Sequence, residues 1–405
     1  MLPSTRSVHL LRDKDPDFRS IIPPIVQNTA FTFDDIDSWR KVVSHQESGD
    51  TYGRNTSPTI RLFENKIAEF EETECGLSFS TGMAAISSVL FALLRPGKRA
   101  VTIKDAYGAT STLFKDILPE FGIETVLCDT EDQESLEREI SRGCDLFFAE
   151  SPTNPMLRVI DLEGIIRAVH HASGIAVIDN TFATPVNQKP VRFGADIVIH
   201  SATKYLCGHG DVLGGVVCGG KKFIETVYRH RELTGATLDV HSASLLLRSL
   251  KTLGLRMERH NRNAFEIAKY LEGRPEVDEV LYPGLEGCPG HNTARKQMTG
   301  FGGVLSFSLK GGYETVKNFL ANLRLAYLAP NLGQVETIAG TPSTTSHAEL
   351  SDKERTELGI PETLIRYAVG IEDVQDLKTD ISNALNRINN KDLRENDPAA
   401  CMKIS

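Results

Sequence analysis

The chain has 405 residues, 40% of them hydrophobic and 24% charged, with a formal net charge of −9 at neutral pH. That length is enough for two substantial cores, and the negative balance, with no dense Lys/Arg cluster, argues against a nucleic-acid partner. No apolar run approaches the roughly 20 residues that cross a bilayer; the opening MLPSTRSVHLLRDKDPDF lacks the apolar core of a secretory signal and turns acidic by Asp13, so no membrane partner and a cytoplasmic location are expected.

Residues 1–60 mix polar and Pro-containing sequence (IIPPIVQNTAFTF) without sustained periodicity, and read as an extended arm with a short helix around Asp34–Ser44. From about 60 the pattern becomes alternating. RLFENKIAEFEE and AAISSVLFALL repeat apolar residues at helical spacing. Short apolar runs bounded by Gly, Asp or Asn follow: RAVTI, ETVLC, DLFFAE, GIAVID and ADIVIH. Such runs suit strands buried on both faces. Helical patterns (TLFKDILPEF, SLEREIS, LEGIIRAVHHAS) separate several of them, which predicts an α/β domain with a largely parallel sheet. After about 250 one long helical stretch, LLLRSLKTLGLRMERHNRNAFEIAKYLEG, leads into strand-like EVLYP and GGVLSFSL, then helical YETVKNFLANL and DVQDLKTDISNALNRI. This reads as a smaller α+β domain, followed by a loose polar tail, NKDLRENDPAACMKIS. The seven cysteines are scattered and form no CxxC pair, poor material for a disulfide framework or a structural zinc site.

Ligands of open α/β sheets sit at the carboxyl ends of strands. GIAVID ends at Asp179, ADIVIH runs into Ser201-Ala202-Thr203-Lys204, and DLFFAE runs into Glu150-Ser151-Pro152-Thr153-Asn154-Pro155. A lysine amine forms imines with carbonyl cofactors, and neighbouring hydroxyls can hold a phosphate. Asp179 offers a carboxylate for a pyridine nitrogen, which turns the ring into an electron sink. Taken singly, Lys204 could be a solvated surface lysine and Asp179 a helix cap; together, at two strand ends, they favour a cofactor. SFSTGMAAISSVL is a small-residue turn opening a helix, where Gly82 and Met83 could present amides to an anion and Ser80 or Thr81 could cap. Tyr107, in DAYGAT, could stack flat on an aromatic ring.

The segments TYGRNTSPT (51–59), STGMAA (80–85), DAYGAT (105–110), ESPTNP (150–155), VIDNTF (177–182), SATKYLCGHGDVLGG (201–215), LKTLGLRMERH (250–260) and IRYAVGIED (365–373), in this order, resemble the Cys/Met-metabolism (trans-sulfuration) family of pyridoxal-phosphate enzymes. That family contains cystathionine γ-synthases, cystathionine and methionine γ-lyases, and O-acylhomoserine sulfhydrylases. The resemblance implies the aspartate-aminotransferase-like fold type I, divided as an arm (1–60), a pyridoxal-phosphate-binding α/β domain (61–250) and a C-terminal α+β domain (251–405). It also implies a role for each residue. Lys204 would carry pyridoxal 5′-phosphate and shuttle protons, with Ser201, Thr203, Gly82 and Met83 on the phosphate. Tyr52 and Arg54 would reach the phosphate of a neighbouring subunit's cofactor, in a homotetramer built as a dimer of dimers. Tyr107 would stack on the ring, Asp179 would pair with its nitrogen, and Asn154 would lie near the ring hydroxyl and substrate carboxylate. Arg366 would clamp the α-carboxylate of a small amino-acid substrate, and Tyr107 or the partner's Tyr52 would serve as a second acid–base group.

The implied chemistry is γ-replacement on an O-acylhomoserine-type amino acid through a vinylglycine ketimine, with a thiol or a carbon nucleophile. The alternative is γ-elimination from a cystathionine- or methionine-like amino acid to 2-oxobutyrate and ammonia. Departures from the family pattern bear on that choice. Cystathionine γ-lyases usually carry Glu-Ser, and methionine γ-lyases Val-Ser, where this chain has Pro330-Asn331. Ala109 stands where methionine γ-lyases commonly have Cys, and Ser57 replaces the usual Asn of the arm motif. Asn331 keeps both a donor and an acceptor, so it is expected to retain a part in holding the carboxylate while reshaping the nucleophile pocket. Two other classes fit poorly. A dinucleotide site would rest on CGHGDVLGG, whose spacing is not GxGxxG and which follows SATKY instead of opening a first βαβ unit. A non-catalytic scaffold would not need the full set of catalytic residue types. No HExxH or paired-carboxylate pattern accompanies His170, His171, His200, His209 or His347, so no metal is expected.

Overall fold

Apolar five-residue runs set the framework. The computed structural model describes residues 3–9, 20–44, 46–348 and 350–395. Strands β1 (Cys75–Phe79), β2 (Arg99–Ile103), β3 (Glu124–Cys128), β4 (Leu146–Glu150), β5 (Ile175–Asp179), β6 (Ile197–Ser201) and β7 (Gly215–Gly219) form one sheet in the order β1-β7-β6-β5-β4-β2-β3. The pairs β6–β5, β5–β4, β4–β2 and β2–β3 are parallel, while β7 runs antiparallel to both β6 and β1. Every residue of β4 and β7 is buried, as two covered faces require. The sequence reading missed β1 and β7. CGLSF and GVVCG carry glycine inside or at both ends, which weakens the strand signal.

The chain separates into two units. The first holds residues 1–104, 109–151 and 161–255, and the second holds 105–108, 152–160 and 256–405. A linear division at 250 therefore leaves out two short segments, DAYG and PTNPMLRVI, that group with the C-terminal unit. In the first unit one face of the sheet packs on the helices Gly82–Leu93 and Lys221–Thr234, through Phe79, Ile86, Val89, Leu90, Val177 and Ile199. Truncating one such side chain to alanine costs about 2–5 kcal/mol. The helix Pro58–Glu71 starts where Ser57 Oγ accepts from Ile60 N–H at 3.3 Å and proline occupies the first turn; it stops at Glu72, whose φ is 62°. Ser57 is thus the cap of this helix. The arm helix spans Ile36–Val43, capped by Asp35, and buries none of its residues.

In the second unit β8 (Val277–Leu281), β9 (Val304–Leu309), β10 (Tyr327–Leu328), β11 (Ile338–Gly340) and β12 (Leu364–Ala368) form a sheet ordered β10-β11-β12-β9-β8. Its core joins Leu305, Phe307, Ile365 and Tyr367 to Ile267, Phe319 and Leu385 from three helices. The stretch read as one long helix is two, Val240–Leu250 and Leu253–Glu272. The last helix, Val374–Glu395, runs seven residues further than the periodic stretch, which ends at Ile388; the rest of the tail, with Cys401, lies outside the described residues. No helix among the described residues is long and apolar enough to cross a membrane.

Candidate active site

The first unit assembles an anion cradle where a helix start meets a strand end. Thr81 has extended backbone, and its hydroxyl accepts from Ala84 N–H at 3.0 Å, so of Ser80 and Thr81 the latter is the cap. Gly82 and Met83 follow, with amides that helical geometry leaves outside the intrahelical ladder. A Cβ on Gly82 would lie 2.8 Å from Ser201 Cβ and 2.9 Å from Ser201 Oγ, so only glycine lets this turn sit against the end of β6. Gly215 answers the same need on β7, where a Cβ would come within 2.1 Å of Thr81 O. Thr203 closes the loop: its Oγ1 accepts from Gly214 N–H at 3.0 Å. Met83 Sδ lies 3.9 Å from Thr110 Oγ1, which leaves the Met83 amide, not its side chain, for an anion. Lys204 is half-buried in the turn after β6, its N–H on Ser201 O at 3.2 Å and its carbonyl accepting from Gly208 N–H at 2.7 Å.

Asp179 ends β5, directly beside β6, and is buried. Burial pushes its carboxyl above the usual carboxylate range, against hydrogen bonds from Thr181 and the nearby His200, which pull it down. Behind the strand ends runs a buried polar network. His200 Nε2 is 2.6 Å from Glu71 Oε1, Asn180 Nδ2 donates to Glu71 Oε1 at 2.9 Å, and Gln188 Nε2 donates to Asn180 Oδ1 at 3.1 Å. His200 is thereby committed to the scaffold. His209 is likewise engaged, with Nδ1 2.7 Å from Cys207 O. This donor set suits a phosphorylated pyridine aldehyde: backbone amides and hydroxyls for a phosphate, a buried carboxylate for a ring nitrogen, and an amine for the aldehyde carbon.

The second unit gathers Tyr107, Asn154, Asn331 and Arg366. Arg366 lies mid-strand in β12, buried, and donates from Nη1 to Asn154 Oδ1 at 3.3 Å and from Nη2 to Asn331 O at 3.1 Å. Asn331 therefore meets the guanidinium through its main chain; its side-chain Nδ2 donates to Gln334 Oε1 at 3.0 Å. Asp105 and Arg158, 3.3 Å apart, tie the DAYG segment to the segment carrying Asn154. Tyr107 is exposed, and the next residue, Gly108, donates its N–H to Ser346 O at 3.3 Å. His347 is buried beside Arg366 and Arg355, with Nδ1 2.9 Å from Ser346 Oγ. Burial first, then those two cations, push its imidazole down to about 4.

In the arm, Arg54 lies over the Tyr52 ring at 5.4 Å, and both are exposed. The sequence reading gave no role to Thr181, Gln334 or Ser346. For Thr181 a signal existed in its place two residues beyond Asp179; for the others nothing in the linear order points at Arg366 or Tyr107. Among the described residues no group of three His, Cys, Asp or Glu is arranged to hold a metal ion, and six cysteines are free thiols.

Comparison with known proteins bears on the family and the fold. The sequence profile of the family described as "Cys/Met metabolism PLP-dependent enzyme" matches residues 4–386. An L-methionine gamma-lyase of Fusobacterium nucleatum subsp. nucleatum is 40% identical over 92% of this chain and 95% of its own. The chloroplastic cystathionine gamma-synthase 1 of Arabidopsis thaliana is 40% identical over 91% of this chain and 66% of its own. A crystal structure of cystathionine gamma synthase from Xanthomonas oryzae pv. oryzae, in complex with aminoacrylate and cysteine, superposes with a TM-score of 0.91 at 36% identity, covering 96% of this chain and 99% of that one.

Proposed function

Because the chain belongs to the Cys/Met-metabolism family of pyridoxal-phosphate-dependent enzymes, we propose that it catalyses γ-replacement on an O-acylhomoserine-type amino acid, with a thiol or a carbon nucleophile. Relatives of equal identity are named as lyase and as synthase, so the choice rests on the substrate loop. The observation that carries it is the hydrogen bond from Arg366 to Asn331 O, which puts the Pro330-Asn331 departure at the guanidinium. An amide there, in place of the serine of ordinary lyases, changes what lines the approach to the γ-carbon while leaving the carboxylate clamp intact.

Lys204 carries the cofactor through Nζ; Ser201, Thr203 and the amides of Gly82 and Met83 hold its phosphate, and Asp179 holds its ring nitrogen. When bound, the cofactor supplies an electron sink that acidifies protons on the substrate's carbons. Lys204 Nζ, as a free amine, would take the α-proton of the substrate and return it. Arg366 grips the α-carboxylate in a fork, with Asn154 orienting the guanidinium. Tyr107 covers the ring face and, with the partner subunit's Tyr52, moves the remaining proton. Tyr52 and Arg54 complete the site of a neighbouring subunit in a homotetramer. Support for that assembly comes from the arm's apolar surface, with Ile21 93% and Ile22 67% exposed and Trp39 and Tyr52 also open. The location is cytoplasmic.

The test is product analysis by mass spectrometry of the purified yellow enzyme with O-acetyl-L-homoserine, with and without added thiols. A γ-substituted amino acid formed only with a nucleophile is the expected result. Release of 2-oxobutyrate and ammonia regardless of additions would establish a γ-lyase instead.

A further inference from the structure

Strand register brings Thr181 to a position no other residue holds. Asp179 pairs with Ile199 across the parallel β5–β6 ladder, so two residues further along each chain Thr181 stands opposite Ser201. Ser201 N–H donates to Thr181 Oγ1 at 2.8 Å, and Thr181 N–H donates to Asp179 Oδ1 at 2.9 Å. A threonine hydroxyl has one proton to give and lone pairs to receive. With Ser201 N–H as donor to the Thr181 hydroxyl, the Thr181 N–H is committed to the Asp179 carboxylate. One residue thus donates to the buried carboxylate through its amide and fixes the backbone that carries Ser201 through its hydroxyl. His200 lies on the adjacent strand, and its Nε2 is already held by Glu71.

We propose that Thr181 is a positioning residue that ties the carboxylate facing the cofactor nitrogen to the serine facing the cofactor phosphate, so that the two ends of the ring are held in one fixed relation. The inference rests on the reading of Asp179 and Ser201 as cofactor residues and adds the element that couples them. Without the hydroxyl, Ser201 N–H loses its acceptor in a partly buried setting, where an unsatisfied polar group is costly, and the tie between Ser201 and the residue that donates to Asp179 is gone. Loosening either end then loosens the other.

The experiment compares T181V, T181S and D179N in the full-length protein. Pyridoxal phosphate is titrated into each apoprotein, and the affinity and the position of the visible band are read at one pH. T181V keeps the amide and the shape and removes only the hydroxyl. It should bind about tenfold more weakly and shift the band in the direction D179N shifts it. T181S should restore both. Equal impairment in T181V and T181S would show a packing role and overturn the proposal, as would a T181V affinity and band identical to those of the parent chain. If D179N itself leaves affinity and band unchanged, the cofactor reading of Asp179 fails and the proposal falls with it; an altered D179N beside an unaltered T181V overturns the proposal alone.

Discussion

Arg366 donates from Nη1 to Asn154 Oδ1 at 3.3 Å, joining two residues 212 positions apart that family resemblance assigns to the same carboxylate. A second nitrogen of the guanidinium is on Asn331 O, so its orientation is set before any substrate arrives. Lysine offers a point charge without the planar fork. Arg366→Lys should therefore raise KM for an amino-acid substrate on the order of 10–100-fold, with a smaller change in kcat. Steady-state kinetics would refute the clamp if KM stayed within twofold.

Gly82→Ala puts a methyl 2.8 Å from Ser201 Cβ, at the end of β6. Such overpacking costs about 1–3 kcal/mol. The strain falls on the anion cradle, so inorganic phosphate and pyridoxal phosphate should both bind about tenfold more weakly, by equilibrium titration. Parental affinity for both would show that the helix start holds no phosphate.

Asn331→Ser should change nucleophile preference more than cofactor affinity, because the main-chain oxygen that Arg366 uses survives the substitution while the link to Gln334 is lost. Competition between two thiols, scored by the ratio of their products, is the measurement. An unchanged ratio would remove position 331 as a determinant.

Lys204→Ala should lose the borohydride-fixable attachment of the cofactor and drop turnover by about 10²–10⁴-fold, the contribution of a positioned proton carrier. Peptide mapping after reduction should place the modified residue at Lys204 in the parent chain. A modified peptide elsewhere would move the attachment site.

His347 and His260 are both held down to about 4, in each case first by burial. An unfolded histidine takes up its proton near pH 6.5. Between that value and about 4 the unfolded chain binds protons that the folded chain refuses, so stability falls as pH falls through this window, by roughly 3 kcal/mol for each histidine. Below about 4 these two groups add no further loss. Melting of the holoenzyme across this range should slope downward toward acid, and His347→Gln should flatten the slope; identical slopes would contradict the burial argument.

Much of this molecule was legible in the linear sequence because the determining signals are local. The runs GIAVID and ADIVIH announce strands, and a strand end announces where Asp179 and Ser201–Lys204 emerge. Thr81 before Gly82-Met83 and an apolar run announces a capped helix, and Ser57-Pro58 announces the start of another. Order and spacing of the motifs were enough to indicate the family and its cofactor.

What remained depends on pairings between residues distant in sequence. The glycine-containing β1 and β7 are completed by pairing, β7 on the edge of β6 and β1 on the edge of β7, and the break at Lys251 is invisible to periodicity. Periodicity also could not say that DAYG and the Asn154 segment join the C-terminal unit, since that grouping rests on contacts such as Gly108 with Ser346 and Asn154 with Arg366. The use of Asn331 through its main chain, and of Thr181 as a bridge, follows from where a carbonyl and an amide come to lie across a completed sheet. Residue types name the chemistry available to a chain; only the tertiary structure decides which atoms of those residues face one another.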